Sequence, residues 1–232
     1  MKTTAKMALA TMLAVTPWLG ARAETWDAAA DFSAATTSNP NAVWSYGYDP
    51  AAQAGYQFKA FNQFITSATV LAWRDSGYNS LDTPAFFKNL SAGTANGTPS
   101  GQVALHPGPV ADGDAAILRF SAPEAGAYAV SAQFFAGDSG ETDAWVVLNG
   151  DFASPLATLG ITSVNPGYTN ASLWLNAGDT LDFVVGNHGS YFSDTTPLAV
   201  QIATVVPEPA SAALLAGGLM GLMGLSRRRR SA

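Results

Sequence analysis

A chain of 232 residues with no cysteine excludes disulfide scaffolds, thiol catalysis and Cys-type zinc sites, and it is long enough for one domain with a sizeable core. Most of its 11 Lys and Arg sit at the two ends, with Lys2, Lys6 and Arg22 in front and Arg227, Arg228, Arg229 and Arg230 behind. Residues 24–205 therefore hold 16 acids against four bases (Lys59, Arg74, Lys88, Arg119), a net charge of −12 that repels nucleic acid and anionic membrane surfaces.

In chain order, the first segment reads as a signal peptide over residues 1–23. Lys2 and Lys6 form a positive start, Met7 to Val15 an apolar run, and Ala21-Arg22-Ala23 an A-x-A cleavage site, so the mature chain is expected to begin at Glu24. Residues 24–205 then read as one all-β domain. Apolar and polar residues alternate with period 2 in short runs separated by turn residues, and no run of a dozen residues keeps a helical stripe. The expected strands are 43–48, 68–73, 102–106, 115–121, 128–135, 144–148, 152–161, 172–175, 181–185 and 198–205. Residues 24–42 and 74–101 read as loops with short strands, or a helical turn over 83–87. Asn149-Gly150 suits a tight turn because both residues tolerate positive φ. Strands at this spacing predict a two-sheet antiparallel β-sandwich of jelly-roll type.

Several stretches carry a resemblance. His106-Pro107-Gly108, the run Ala116 to Tyr128, Val147-Leu148-Asn149-Gly150 and the run Leu175 to Gly186 follow an order similar to that of carbohydrate-binding-module-like jelly rolls found in exported bacterial proteins. Those stretches are mostly turn and core residues, so the resemblance implies a fold more than an activity.

Past Val205 the chain changes character. Val206-Pro207-Glu208-Pro209 is followed by an apolar run over 212–225 and the cluster Arg227 to Arg230. Fourteen apolar residues at ~1.5 Å each make a helix of about 21 Å, shorter than the ~30 Å hydrocarbon core, and the arginines are expected to stay on the cytoplasmic side. This three-part tail, residues 206–232, resembles the PEP-CTERM sorting signal of Gram-negative bacteria, which implies an exosortase-type membrane protease as partner. The same tail is also known as an ice-binding-protein C-terminal motif, but residues 24–205 show no repeated Thr-x-Thr ladder of the kind an ice-binding surface uses.

Candidates for chemistry are sparse. His106 and His188 lie 82 positions apart and show no metal-ligand spacing, and no G-x-S-x-G elbow is present. No cofactor and no catalytic residue is expected. A structural calcium is the one ion the turn carboxylates could hold, at Asp112 and Asp114 or at Asp138, Glu141 and Asp143, although solvated turns are the simpler reading. Aromatics are more telling. Trp44, Tyr46 and Tyr48 share one face and belong to the core, whereas Leu173 and Leu175 point inward and turn Trp174 outward. If 172–175 and 181–185 form a hairpin with Leu175 facing Leu181, Trp174 stands opposite Asp182, an indole platform beside a carboxylate for a sugar. The sequence thus points to an exported, non-catalytic β-sandwich, delivered to the cell envelope, surface or matrix, that binds extracellular polysaccharide. A structural biofilm-matrix protein without specific ligand and an ice-binding protein are the alternatives.

Overall fold

The computed structural model describes residues 23–50, 55–78, 84–109 and 114–206. Residues 23–205 form one compact unit of two antiparallel sheets. In chain order the described elements are β1 (Thr25–Asp27), α1 (Ala28–Asp31), β2 (Trp44–Asp49), β3 (Lys59–Ala60), β4 (Gln63–Thr66), β5 (Val70–Arg74), β6 (Ala85–Asn89) and β7 (Val103–His106). They continue with β8 (Ala115–Ser121), β9 (Gly126–Phe134), β10 (Asp143–Leu148), β11 (Ala157–Ile161), a 3-10 turn (Thr162–Val164), β12 (Gly167–Leu175), β13 (Thr180–Gly186) and β14 (Thr196–Thr204). The first sheet runs β12-β9-β14-β7-β6-β5-β4, with β1 added to β14, and the second runs β11-β10-β13-β8-β2-β3.

Alternation explains this architecture. Trp44, Tyr46 and Tyr48 of β2, Leu118 and Phe120 of β8 and Leu181, Phe183 and Val185 of β13 are buried on the inner face of the second sheet. They meet Trp73, Phe86, Leu105, Tyr128, Val130, Phe134, Val200 and Ile202 of the first. Burying a large side chain of this kind contributes about 1.5–3 kcal/mol, so a core rich in aromatics and branched aliphatics carries the domain without cross-links. Consecutive strands change sheet at the turns β8–β9, β9–β10, β11–β12, β12–β13 and β13–β14, which is the jelly-roll habit.

Two expectations need correction. Of the turn expected over 83–87, the described residues 84–87 are not helical: Ala85–Asn89 is a strand in which Phe86 faces the core and Phe87 the outside, a period-2 signal hidden by two adjacent phenylalanines. Residues 24–42 do hold a short strand, as expected: β1 extends the first sheet and is followed by the one-turn helix α1, capped by Asp27 through the amides of Ala29 and Ala30. The strand expected over 152–161 begins only at Ala157. Asn149 (φ 52°) and Gly150 (φ 72°) do turn the chain, with the Asp151 amide donating to the Leu148 carbonyl, but Phe152 then folds back onto the sheet instead of pairing.

Candidate functional site

The largest correction concerns Trp174 and Asp182. Their strands are not paired: β12 lies beside β9 in the first sheet, with Trp174 opposite Ala127, while β13 lies between β10 and β8 in the second. The turn over Asn176 to Asp179, closed by the Asp179 amide donating to the Asn176 carbonyl and by the Asn176 amide donating to the Asp179 carboxylate, carries the chain across the sandwich. Leu175 and Leu181 are therefore both buried in the shared core from opposite sheets, which satisfies their inward pattern as well as a hairpin would. Trp174 and Asp182 point outward on opposite faces. Trp174 is 65% exposed on the edge strand β12, whereas Asp182 is fully buried.

Asp182 is covered because the outer face of the second sheet has a layer of its own. Ile117, Val147 and Val184 face outward there and pack with Tyr56, Phe58, Trp145 and Phe152. Beneath this layer Asp182 accepts a bidentate pair from Arg119, Nε to Oδ1 at 2.6 Å and Nη2 to Oδ2 at 2.7 Å, and the Tyr56 hydroxyl donates to Oδ2 at 2.7 Å. The Arg119 guanidinium lies 3.9 Å from the centre of the Phe58 ring. Burial raises the Tyr56 hydroxyl well above its ordinary range, and the neighbouring Asp182 adds to that, so Tyr56 is a fixed donor. Two glycines make the layer fit. A Cβ on Gly47 would stand 2.4 Å from the Lys59 carbonyl oxygen and 2.6 Å from the Phe58 ring, and one on Gly186 would press on the Trp145 indole at 3.0 Å.

Above this layer opens a concavity of about 860 Å³. Tyr56, Trp145 and Phe152 form its aromatic wall: the Tyr56 and Phe152 rings stack 5.2 Å apart at 14°, and Phe152 meets Trp145 at 5.2 Å and 57°. Asp49, Asp143, Asp151, Asn187 and His188 supply the polar lining. Asp143 Oδ2 lies 2.9 Å from His188 Nδ1, and this bond with its charge raises the imidazole above its ordinary value. Asp49, only 8% exposed, accepts the Gln57 amide at 3.2 Å; burial raises its carboxyl against that bond, and nearby Asp114 adds to the effect.

The remaining expected site residues fall elsewhere. His106, at the end of β7, is half-buried with Nδ1 against the Pro107 carbonyl, outside the concavity. Among the described residues no three His, Asp or Glu converge as a metal-ligand group. Asp114 accepts the Tyr78 hydroxyl at 2.7 Å, Asp143 is engaged with His188, and Asp112 lies outside the described residues. Val206 ends the described chain; Pro207, Glu208, Pro209, the apolar run 212–225 and Arg227 to Arg230 lie outside it. Among the described residues no helix is long and apolar enough to cross a membrane. Trp145 was open to the reasoning that turned Trp174 outward, since Ala144 and Val146 flank it and point inward. The loop residues Tyr56 and Phe152 gave no comparable sequence signal.

Fold and site together define a β-sandwich with an aromatic-lined concavity on one outer face. Residues 205–230 match the PEP-CTERM protein-sorting motif, so the chain carries the sorting signal of an exported protein. No curated protein matches the sequence. Among solved structures it is similar to the Podospora anserina GH26-CBM35 β-(1,4)-mannanase (14% identity, TM-score 0.31), aligning over 81% of this chain but spanning only 28% of the mannanase. It is also similar to a family 35 carbohydrate binding module from Clostridium thermocellum (11% identity, TM-score 0.26, 68% of this chain and 97% of that one). A third likeness is to the N-terminal cellulose-binding domain of Cellulomonas fimi β-1,4-glucanase C (11%, TM-score 0.26, 70% and 90%). These likenesses are weak, and the ligand chemistry has to come from the site itself.

Proposed function

We propose that this protein is an exported, non-catalytic β-sandwich that binds extracellular polysaccharide in the concavity on its second sheet. Its tail directs it through an exosortase-type protease to the cell envelope or matrix. The observation that carries the reading is the joint presence of Tyr56, Trp145 and Phe152 with Asp143, Asn187 and His188 around one open hollow. Aromatic faces pack against the C–H faces of sugar rings, and carboxylate, amide and imidazole groups take up the hydroxyls around them. The volume suits a few sugar units, since ligand clefts run to about 300–1,000 Å³. Held by Asp143 at Nδ1, His188 has its other ring nitrogen left for a ligand hydroxyl. Asp182 and Arg119 touch no ligand in this reading; they hold Tyr56 in place.

Affinity electrophoresis through gels containing the producing cell's own polysaccharide tests the site. Trp145→Ala should lose the retardation of the wild type while keeping its strand-dominated circular dichroism, and retardation equal to wild type overturns the assignment. Trp174, exposed on the opposite outer face, is proposed as a separate and weaker contact, so Trp174→Ala should reduce retardation less than Trp145→Ala.

A further inference from the structure

The four bases of residues 24–205 give the concavity a definite electrostatic character. Arg119 is bound to Asp182 beneath the aromatic layer, and Lys59 pairs with Asp75 at 2.8 Å. Lys88 donates to the Ala29 and Phe32 carbonyls, and Arg74 lines a different hollow, on the outer face of the first sheet. Among the described residues none of the four lines the concavity, whereas Asp49, Asp143 and Asp151 all do, and only Asp143 is matched by a basic side chain, His188. A ligand carrying carboxylates would bring its charge against three acids with no guanidinium or ammonium to receive it. A ligand carrying ammonium groups meets the opposite situation: carboxylates lining the same hollow as Trp145, Tyr56 and Phe152, whose ring faces attract cations. The domain's net charge of −12 adds long-range steering toward the same class of ligand.

We propose that the concavity selects polysaccharide bearing free amino groups, a polymer of de-N-acetylated hexosamine, over neutral or uronate-rich chains. This deepens the sugar-binding reading and rests on it. The aromatic wall orients the ring faces, Asp151 and Asp49 receive the ammonium groups, and the Asp143–His188 pair bonds the hydroxyls between them.

The test uses the full chain in detergent, titrated calorimetrically with the β-1,4-linked glucosamine hexasaccharide and with its fully N-acetylated counterpart, two probes of equal length and linkage that differ in charge. The glucosamine form should bind about tenfold or more tightly, one well-formed charge-assisted contact being enough for that difference. Asp151→Asn and Trp145→Ala should each weaken it, while Glu124→Gln, which removes an equal charge from a turn that does not line the concavity, should not. Equal binding of the two probes, or preference for the acetylated one, overturns the amino-sugar inference and leaves the sugar site standing. Binding of neither overturns the amino-sugar inference, and the sugar-site reading is then decided separately by the affinity electrophoresis with the cell's own polysaccharide. Glucosamine binding that survives Trp145→Ala, or falls equally with Glu124→Gln, is diffuse attraction to an acidic protein and also overturns the inference.

Discussion

With the Asp182 carboxylate gone, the Arg119 guanidinium stays under Phe58 with its partner removed, and an uncompensated charge in such a place costs about 3–5 kcal/mol. Asp182→Ala should therefore lower the unfolding free energy measured by urea titration by that amount, seen as a lower midpoint. The double change Arg119→Met with Asp182→Leu should restore much of the loss, because it removes both charges and keeps the volume. A midpoint unchanged by the single substitution would contradict the buried pairing. Asp194 poses a different residue-level question. Both its oxygens are buried and without a hydrogen-bond partner, with Gly140 packed against them. Burial pushes its carboxyl up to about 7, with nearby His188 opposing and Asp138 reinforcing the shift. In the unfolded chain the group releases its proton near 3.8, so between 3.8 and about 7 the folded state holds the extra proton and stability falls as pH rises. Asp75 acts with the opposite sign. Although burial opposes it, Lys59, the Gly77 amide and the Tyr48 hydroxyl hold its carboxyl down at about 2, a contribution present above 3.8 and lost as pH falls toward 2. Thermal stability should thus peak near pH 4, and Asp194→Asn should raise the melting temperature most at about pH 8, less at about pH 5 and little below about pH 4. A substitution effect independent of pH would rule out Asp194 as the titrating group.

Among the elements, strand existence was legible wherever one face is buried and the other is not. β9 and the latter half of β14 alternate because their inner residues meet the opposite sheet, whereas β8, β10 and β13, covered on both faces, read as short apolar runs between turn residues; the run Ala115–Ser121 is bounded as its pattern indicates. Pairing was much less legible. The turn between β12 and β13 has the residues of a hairpin turn and two flanking leucines, yet it spans the sandwich; inward Leu175 and inward Leu181 are the same pattern whether their strands share a sheet or face each other across ~10 Å. That single ambiguity separated Trp174 from Asp182 and hid the site. The concavity depends on segments with no periodicity, Tyr56 to Phe58 and the stretch after Asn149, whose placement is decided by long-range features: a glycine at 47 that admits Phe58 and a buried acid at 182 that captures the Tyr56 hydroxyl. Only Trp145 stands on a strand, and only its outward direction was within reach of the alternation rule.

At the scale of the whole molecule, both ends of the sandwich belong to one ladder. Thr25 pairs with Ala203, the Thr204 amide donates to Glu24, and the Val205 amide donates to Ala127. Everything that holds the described unit together thus lies at or before Val205, and the sorting motif begins there. Removal of the tail by a membrane protease would cut no strand, so the processed chain should keep the melting temperature of the precursor. Truncation before Ile202 removes a buried core residue together with the partners of β1 and the end of β9, and it should lower that temperature by several degrees, since a change of 1 kcal/mol shifts a domain of this size by about 2–4 °C. Processing itself depends on the tail's chemistry. Replacing Pro207 and Pro209 with Ala keeps the apolar run and the arginines but erases the motif, so the variant should accumulate uncleaved in the inner membrane fraction while the wild type is shortened. Intact-mass measurement decides the matter, because a wild-type mature chain that still ends at Ala232 would show that the tail is kept as an anchor.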